Sequence, residues 1–418
     1  MKSNELRRDL GLFDAVAIGW GAIVGAGLFV VTGVAAAVAG PAFLVGLLVA
    51  AVVATFNALS SAQLAANYPR SGGTYEYGYE VLHPWAGFAA GWTFLASKLA
   101  AGGTVAIGFG GYLAALVPGV SAQAAAASAV VALTVANYLG IRKAGRLNIA
   151  IVVVTLTSLA YFAVTGLPAF QRENLEPFAP EGAGSVLRSA ALLFFAYTGY
   201  ARIATLAEEV REPRRTIPRA IMISLGTAAV LYLLVAFVAV GAVGAETMAS
   251  SRSPLATAAE RIGAPAGALA IGIGAAAAML GVLLSQVLGI SRVMLAMARR
   301  GDLPPGLGHV SEKRAVPDKA IFVTGAIILL LALFGTLEWI VASATFTILL
   351  YYTITNVAAL RLEKKLKLYG DAIAVLGTLS CLALAFSLKP ETIAWGLLLL
   401  AAGFAFRALL RRPVRGRS

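Results

Sequence analysis

Gly21-Ala-Ile-Val-Gly-Ala-Gly27 and Phe194-Phe-Ala-Tyr-Thr-Gly-Tyr200 decide how this chain folds. The first lies in a stretch with no charged residue from Ala15 to Pro69, the second in an uncharged segment of 13 residues between Arg188 and Arg202. Glycine-rich runs interrupt a helix, and in hydrocarbon every freed N–H and C=O needs a partner within the protein. A broken membrane helix therefore persists where it lines a cavity or meets a ligand. Two such breaks at corresponding places in successive halves point to a transporter with its site near the bilayer midplane.

Composition sets the same frame. Of 418 residues, 59% are hydrophobic and 13% charged, with a mean hydropathy of +0.84. That leaves too little polar surface to close a water-soluble globule. With about 20 apolar residues needed per crossing, the pattern predicts twelve transmembrane helices: 12–38, 42–66, 85–116, 120–139, 147–168, 187–207, 219–244, 264–297, 319–336, 338–360, 371–388 and 391–410. Cytoplasmic loops retain Lys and Arg. Assigning both termini and the even-numbered connectors to one side gathers 25 of the 33 basic residues there, Arg70, Arg300 and Arg407 among them, and leaves five opposite. The expectation is a multi-pass protein of the cytoplasmic membrane with both termini cytoplasmic.

The formal net charge of +13 then reads as topology and contact with membrane lipid. No basic block with interleaved aromatics suggests nucleic acid. The first apolar run is too long for a secretory signal and flows into a second span. Cys381 is the one cysteine, so no intrachain disulfide can form. His83 and His309 fall in connectors without ligand spacing, and no metal site or cofactor is expected.

Pairing helix 1 with helix 6 divides the chain into 1–168 (helices 1–5), 169–366 (helices 6–10) and 367–418, which holds two accessory helices and a basic tail. Five is an odd number of crossings, so the two repeats run in opposite orientation. Several segments together give this chain its likeness to known proteins: GAIVGAGLF at 21–29, YPRSGG at 68–73, FFAYTGYARIATLAEEVREPRRTIP at 194–218, GISRVMLAMARRGDLP at 289–304 and YYTITNVAALRL at 351–362. In this order it resembles the amino acid-polyamine-organocation superfamily of secondary transporters over nearly its whole length. The resemblance implies a five-plus-five inverted repeat with two added helices, importing or exchanging amino acids by alternating access.

The candidate site follows from the breaks. Unwinding over Ile23 to Gly27 frees N–H groups at the start of a half-helix, where the dipole also favours a substrate carboxylate. Gly25 lets the ligand approach the backbone. By resemblance Ala26 and Gly27 take the carboxylate and the Ile23 carbonyl faces the ammonium. Helix 6 offers carbonyls at Phe195, Ala196 and Thr198, and Phe195 matches the family's aromatic gate. Leu284 and Ser285 of helix 8, with positions on helices 3 and 10, are expected to set side-chain selectivity, and their largely apolar character favours a neutral amino acid.

Coupling has three candidates. In proton-coupled relatives helix 5 presents a lysine where this chain holds Thr155. A hydroxyl there, with Ser285, is a candidate Na⁺ ligand, against the ordinary alternative of a bond to its own helix. Lys98 is the ionisable residue well inside helix 3, about 21 Å beyond Pro84 at the usual helical rise, and is by default functional. The coupling ion is expected to be a proton or Na⁺. The charged run from Glu208 to Arg219 reads as a cytoplasmic connector that, by resemblance, latches helices 6 and 7, with Arg70 and the 292–300 segment as partners.

The expected function is transport of an amino acid, by a monomer or homodimer. A polyamine or organic-cation carrier is the first rival, but no Asp or Glu lies mid-span to receive a polycation. An intramembrane enzyme would need a nucleophile, acid pair or metal constellation that the spans lack. A membrane sensor that binds an amino acid without moving it is the rival from another class.

Overall fold

A computed structural model describes residues 10–68, 72–139, 144–205, 210–263, 265–314 and 316–411. Arg70 and Glu208 lie outside them. The chain is a polytopic, all-helical membrane protein. Its helices are α1 (Leu12–Ile23), α2 (Thr32–Ala39), α3 (Phe43–Asn67), α4 (Thr74–Tyr77), α5 (Pro84–Leu116), α6 (Ala122–Leu139), α7 (Ala144–Gly166) and α8 (Gly182–Tyr197). They continue with α9 (Ala201–Thr205), α10 (Pro213–Ala249), α11 (Pro254–Arg261), α12 (Pro265–Arg299), α13 (Asp318–Phe334), α14 (Leu337–Leu360), α15 (Asp371–Phe386) and α16 (Pro390–Leu410). Among the described residues eight stretches are long and apolar enough to cross a membrane; Leu12–Asn67 counts as one of them although a tight Gly40–Ala42 turn divides it.

Both quoted stretches interrupt their helices. The ladder of α1 ends with Val24, whose N–H donates to the Trp20 carbonyl at 2.9 Å, and a π-helical turn over Gly27–Val31 leads into α2. Leu28 and Phe29 share the Gly25 carbonyl at 3.1 and 3.2 Å. The second break is a single turn, Thr198–Tyr200, between α8 and α9.

Where backbone must meet backbone, side chains are absent. A Cβ on Gly27 would stand 2.4 Å from the Ala196 Cα, and one on Gly199 would stand 2.2 Å from the Ala22 carbonyl oxygen. The two breaks therefore touch, each through a glycine of its own. Around them α5, α12 and α14 form the most heavily packed group, while α10 lies along α1 and α3. Trp20 donates its indole N–H to Thr227 at 2.7 Å, and Ser224 bonds the Val16 carbonyl at 3.3 Å.

Polar residues tie the basic end together. The carboxylate of Asp302, fully buried, accepts from Tyr75 at 2.9 Å, from Tyr79, from Arg407 Nε at 2.8 Å and from Arg411 at 2.9 Å. The Arg407 guanidinium also lies over the rings of Trp85 and Phe88, each 4.9 Å from the ring centroid. Arg407 sits at the end where sequence places it, but it is 2% exposed and spent on an internal bond. Arg300, expected as a partner of the charged run after helix 6, pairs with Glu76 of α4, which packs near the end of α12; Glu208 and Glu209 of that run lie outside the described residues.

Candidate functional site

Two contiguous cavities open beside the breaks. The inner one, of about 360 Å³, is lined by Ile23, Gly25, Ala26 and Gly27 from the first break and by Phe195, Ala196, Thr198 and Gly199 from the second. Lys98 and Val105 of α5 and Val282 and Gln286 of α12 complete it. The outer one, of about 520 Å³, shares Lys98, Thr198, Gly199 and Gln286 and extends toward the basic end through Phe94, Arg202, Ser285 and Gly289. No Asp or Glu lines either cavity among the described residues.

Lys98 belongs to both walls. Its ammonium reaches the Thr198 hydroxyl at 3.5 Å and lies 5.9 Å from the centre of the Phe94 ring. Thr198 in turn donates to the Phe195 carbonyl at 2.9 Å. A polar chain thus runs from the amine on α5 to the backbone of the aromatic residue at the end of α8. Phe195 is buried, as is Phe194, which packs edge-on against Tyr352 at 5.6 Å. Arg202 faces the outer cavity, where a Cβ on Gly289 would come within 2.7 Å of its guanidinium.

Of the residues singled out from sequence, Ile23, Gly25, Ala26, Gly27, Phe195, Ala196, Thr198, Ser285 and Lys98 come together on these walls. Leu284 does not: it lines neither cavity, and its carbonyl accepts from Asn137 of α6 at 3.2 Å. No residue of α14 lines them either, because that helix packs behind α5, with Ser97 bonded to the Ala344 carbonyl at 2.9 Å. Thr155 and Ser285 do not share an ion site. The Thr155 hydroxyl donates across to the Gly274 carbonyl at 3.2 Å, and the eleven-residue step from Gly274 to Ser285 spans roughly 16 Å of helix axis.

Four contributors were missed. Gln286 was signalled only as one polar side chain in the apolar 264–297 span. Val282 and Gly289 follow from it, one turn to either side on the same face of α12. Tyr232 of α10 is the fourth. Its hydroxyl donates to the Ile23 carbonyl at 2.7 Å and stands 3.3 Å from the Ala196 carbonyl, so a carbonyl expected to face the substrate already has a protein partner.

The two helix breaks meet beside these cavities, and the model of the amino acid permease family matches residues 14–415. The chain belongs to the amino acid permease family. An uncharacterized transporter of Mycobacterium tuberculosis is 42% identical over 418 residues, covering 99% of this chain and 94% of the relative. The branched-chain amino acid permease BcaP of Bacillus subtilis is 31% identical, covering 98% and 94%. A methylthioribose transporter of Bacillus subtilis is 30% identical, covering 87% and 83%. This permease is a transporter of the amino acid class and not an enzyme.

Proposed function

We propose that this permease carries an α-amino acid with a neutral side chain across the cytoplasmic membrane by alternating access, in a twelve-helix, five-plus-five inverted repeat with both termini cytoplasmic. The α-carboxylate sits on the half-helix start at Gly25 to Gly27, and the ammonium meets carbonyls of the two breaks near Ile23 and Ala196. Phe195 closes the site from the extracellular side, away from the basic end. The observation that carries this reading is the meeting of both breaks on one cavity wall with Lys98 opposite and no carboxylate among the described lining residues. Lys98 and Arg202 disfavour a substrate whose side chain is itself a cation, because like charges in a low-dielectric site repel strongly. The likeness to a branched-chain permease supports a neutral side chain.

Proton coupling through Lys98 fits better than Na⁺ coupling. The amine is linked through Thr198 to the backbone of the gate residue, so a change in its charge is felt where the site closes. The Thr155 hydroxyl is committed to Gly274 instead. Uptake of labelled leucine, lysine, glutamate and methylthioribose into proteoliposomes, under separately imposed proton and Na⁺ gradients, tests the proposal. Leucine uptake driven by the proton gradient and lost in Lys98→Ala is the expected result. Uptake of lysine in preference to leucine would overturn the substrate assignment, and binding without flux would make the protein a sensor.

A further inference from the structure

Tyr232 stands where the two breaks meet. It lies on α10, is wholly buried, and lines neither cavity. Its ring leans on Tyr197 at 5.3 Å between centroids, and its single hydroxyl proton is offered to one carbonyl from each broken helix, Ile23 at 2.7 Å and Ala196 at 3.3 Å. Both of those residues line the inner cavity, so the hydroxyl approaches from behind the wall. A carbonyl oxygen has two lone pairs. One donor behind the wall therefore leaves each oxygen able to accept a second donor from the cavity, and fixes the direction from which it accepts.

We propose that Tyr232 is a positioning residue for the substrate's ammonium group, holding the Ile23 and Ala196 carbonyls in register across the two breaks. The inference rests on the amino acid reading given above. Carbonyls released by a helix break have no ladder to hold them, and an ammonium needs two or three acceptors converging within hydrogen-bond distance. Tyr232 supplies the missing constraint to both helices at once. Because it acts on carbonyls and not on the half-helix N–H groups, its removal should weaken recognition of the ammonium more than that of the carboxylate.

The test compares L-leucine with 4-methylpentanoate, the same skeleton without the ammonium, by competition binding to purified protein. In wild type leucine binds more tightly. In Tyr232→Phe, which removes one oxygen and keeps the ring, that preference should shrink about tenfold, the equivalent of one lost charged hydrogen bond of ~1.4 kcal/mol. Tyr197→Phe is the matched control: its hydroxyl bonds the Leu47 carbonyl at 3.3 Å, away from the cavity, and the preference should stay within twofold of wild type. Should Tyr232→Phe fail to fold, 3-fluorotyrosine at position 232 keeps ring and hydroxyl with a stronger donor, and the preference should rise. A preference unchanged in Tyr232→Phe, or reduced equally in Tyr197→Phe, overturns the proposal. Wild-type protein that binds neither compound refutes the underlying amino acid reading instead.

Discussion

Replacing Gly199 by alanine should arrest transport while leaving a folded protein. The added Cβ would meet the Ala22 carbonyl oxygen at 2.2 Å, the Ala22 carbonyl carbon at 2.3 Å and the Ile23 nitrogen at 2.5 Å. All three are backbone atoms, so no side chain can rotate out of the way. Restoring ordinary contact near 3.4 Å requires the breaks to part by about 1.2 Å. Overpacking of that kind costs roughly 1–3 kcal/mol, which lowers the population of the arrangement with both breaks in contact by roughly fivefold to more than a hundredfold. Gly226 on α10 is the control, since a Cβ there meets nothing within 4 Å. Helix propensity alone predicts that Gly226→Ala is neutral or stabilising by about 0.5–1 kcal/mol. Initial uptake of labelled leucine and thermal unfolding in detergent would be measured on both variants. Gly199→Ala that is folded and transports within twofold of wild type would refute the claim that contact between the breaks forms the site.

The basic-end cluster predicts that Asp302→Asn lowers stability by about 3–5 kcal/mol, because Arg407, at 2% exposed, would keep its charge with no carboxylate to meet it. Chemical denaturation in detergent measures this, and a loss below 1 kcal/mol would show that the ion pair is dispensable. Thr155→Val should leave the ion dependence of uptake unchanged and cost about 1 kcal/mol for the bond to Gly274. Loss of Na⁺-driven uptake in that variant would return Thr155 to the coupling site.

The legible part of this protein was the part governed by hydropathy and glycine. Helices span the apolar segments read from sequence because long uncharged runs have no other way to satisfy their backbone, and the breaks appear where Gly25, Gly27 and Gly199 permit them. Lys98 was conspicuous as a cation in an apolar helix. The ties across the bundle were not legible, because a tyrosine in a span looks the same whether it packs or bonds a distant carbonyl. Tyr232 and Ile23 are 209 residues apart, and nothing local marks them as partners. The side on which Arg407 lies was legible, but its partner was not, because only the fold brings Asp302 to it. Leu284 and Ser285 are neighbours in sequence, but helical rotation of about 100° per residue puts one on the cavity and the other toward α6.

The polar ties gather into two groups on either side of the cavity. One joins α1 to α10 along its length: Arg211 N–H to the Leu10 carbonyl at 2.9 Å, Ser224 to Val16, Trp20 to Thr227, and Tyr232 to Ile23 and, across the second break, to Ala196. The other joins α4, the end of α12 and α16 through Asp302, and α5 to α14 through Ser97. Lys98, Val282 and Gln286 belong to the second group and the breaks to the first. The groups are tied to each other: the Tyr112 hydroxyl of α5 donates to the Phe29 carbonyl of the first break at 2.7 Å, while the contact from Lys98 to Thr198 beside the cavity is longer, at 3.5 Å. Of these two ties the longer is the one beside the cavity, and the proton coupling proposed for Lys98 would act on it.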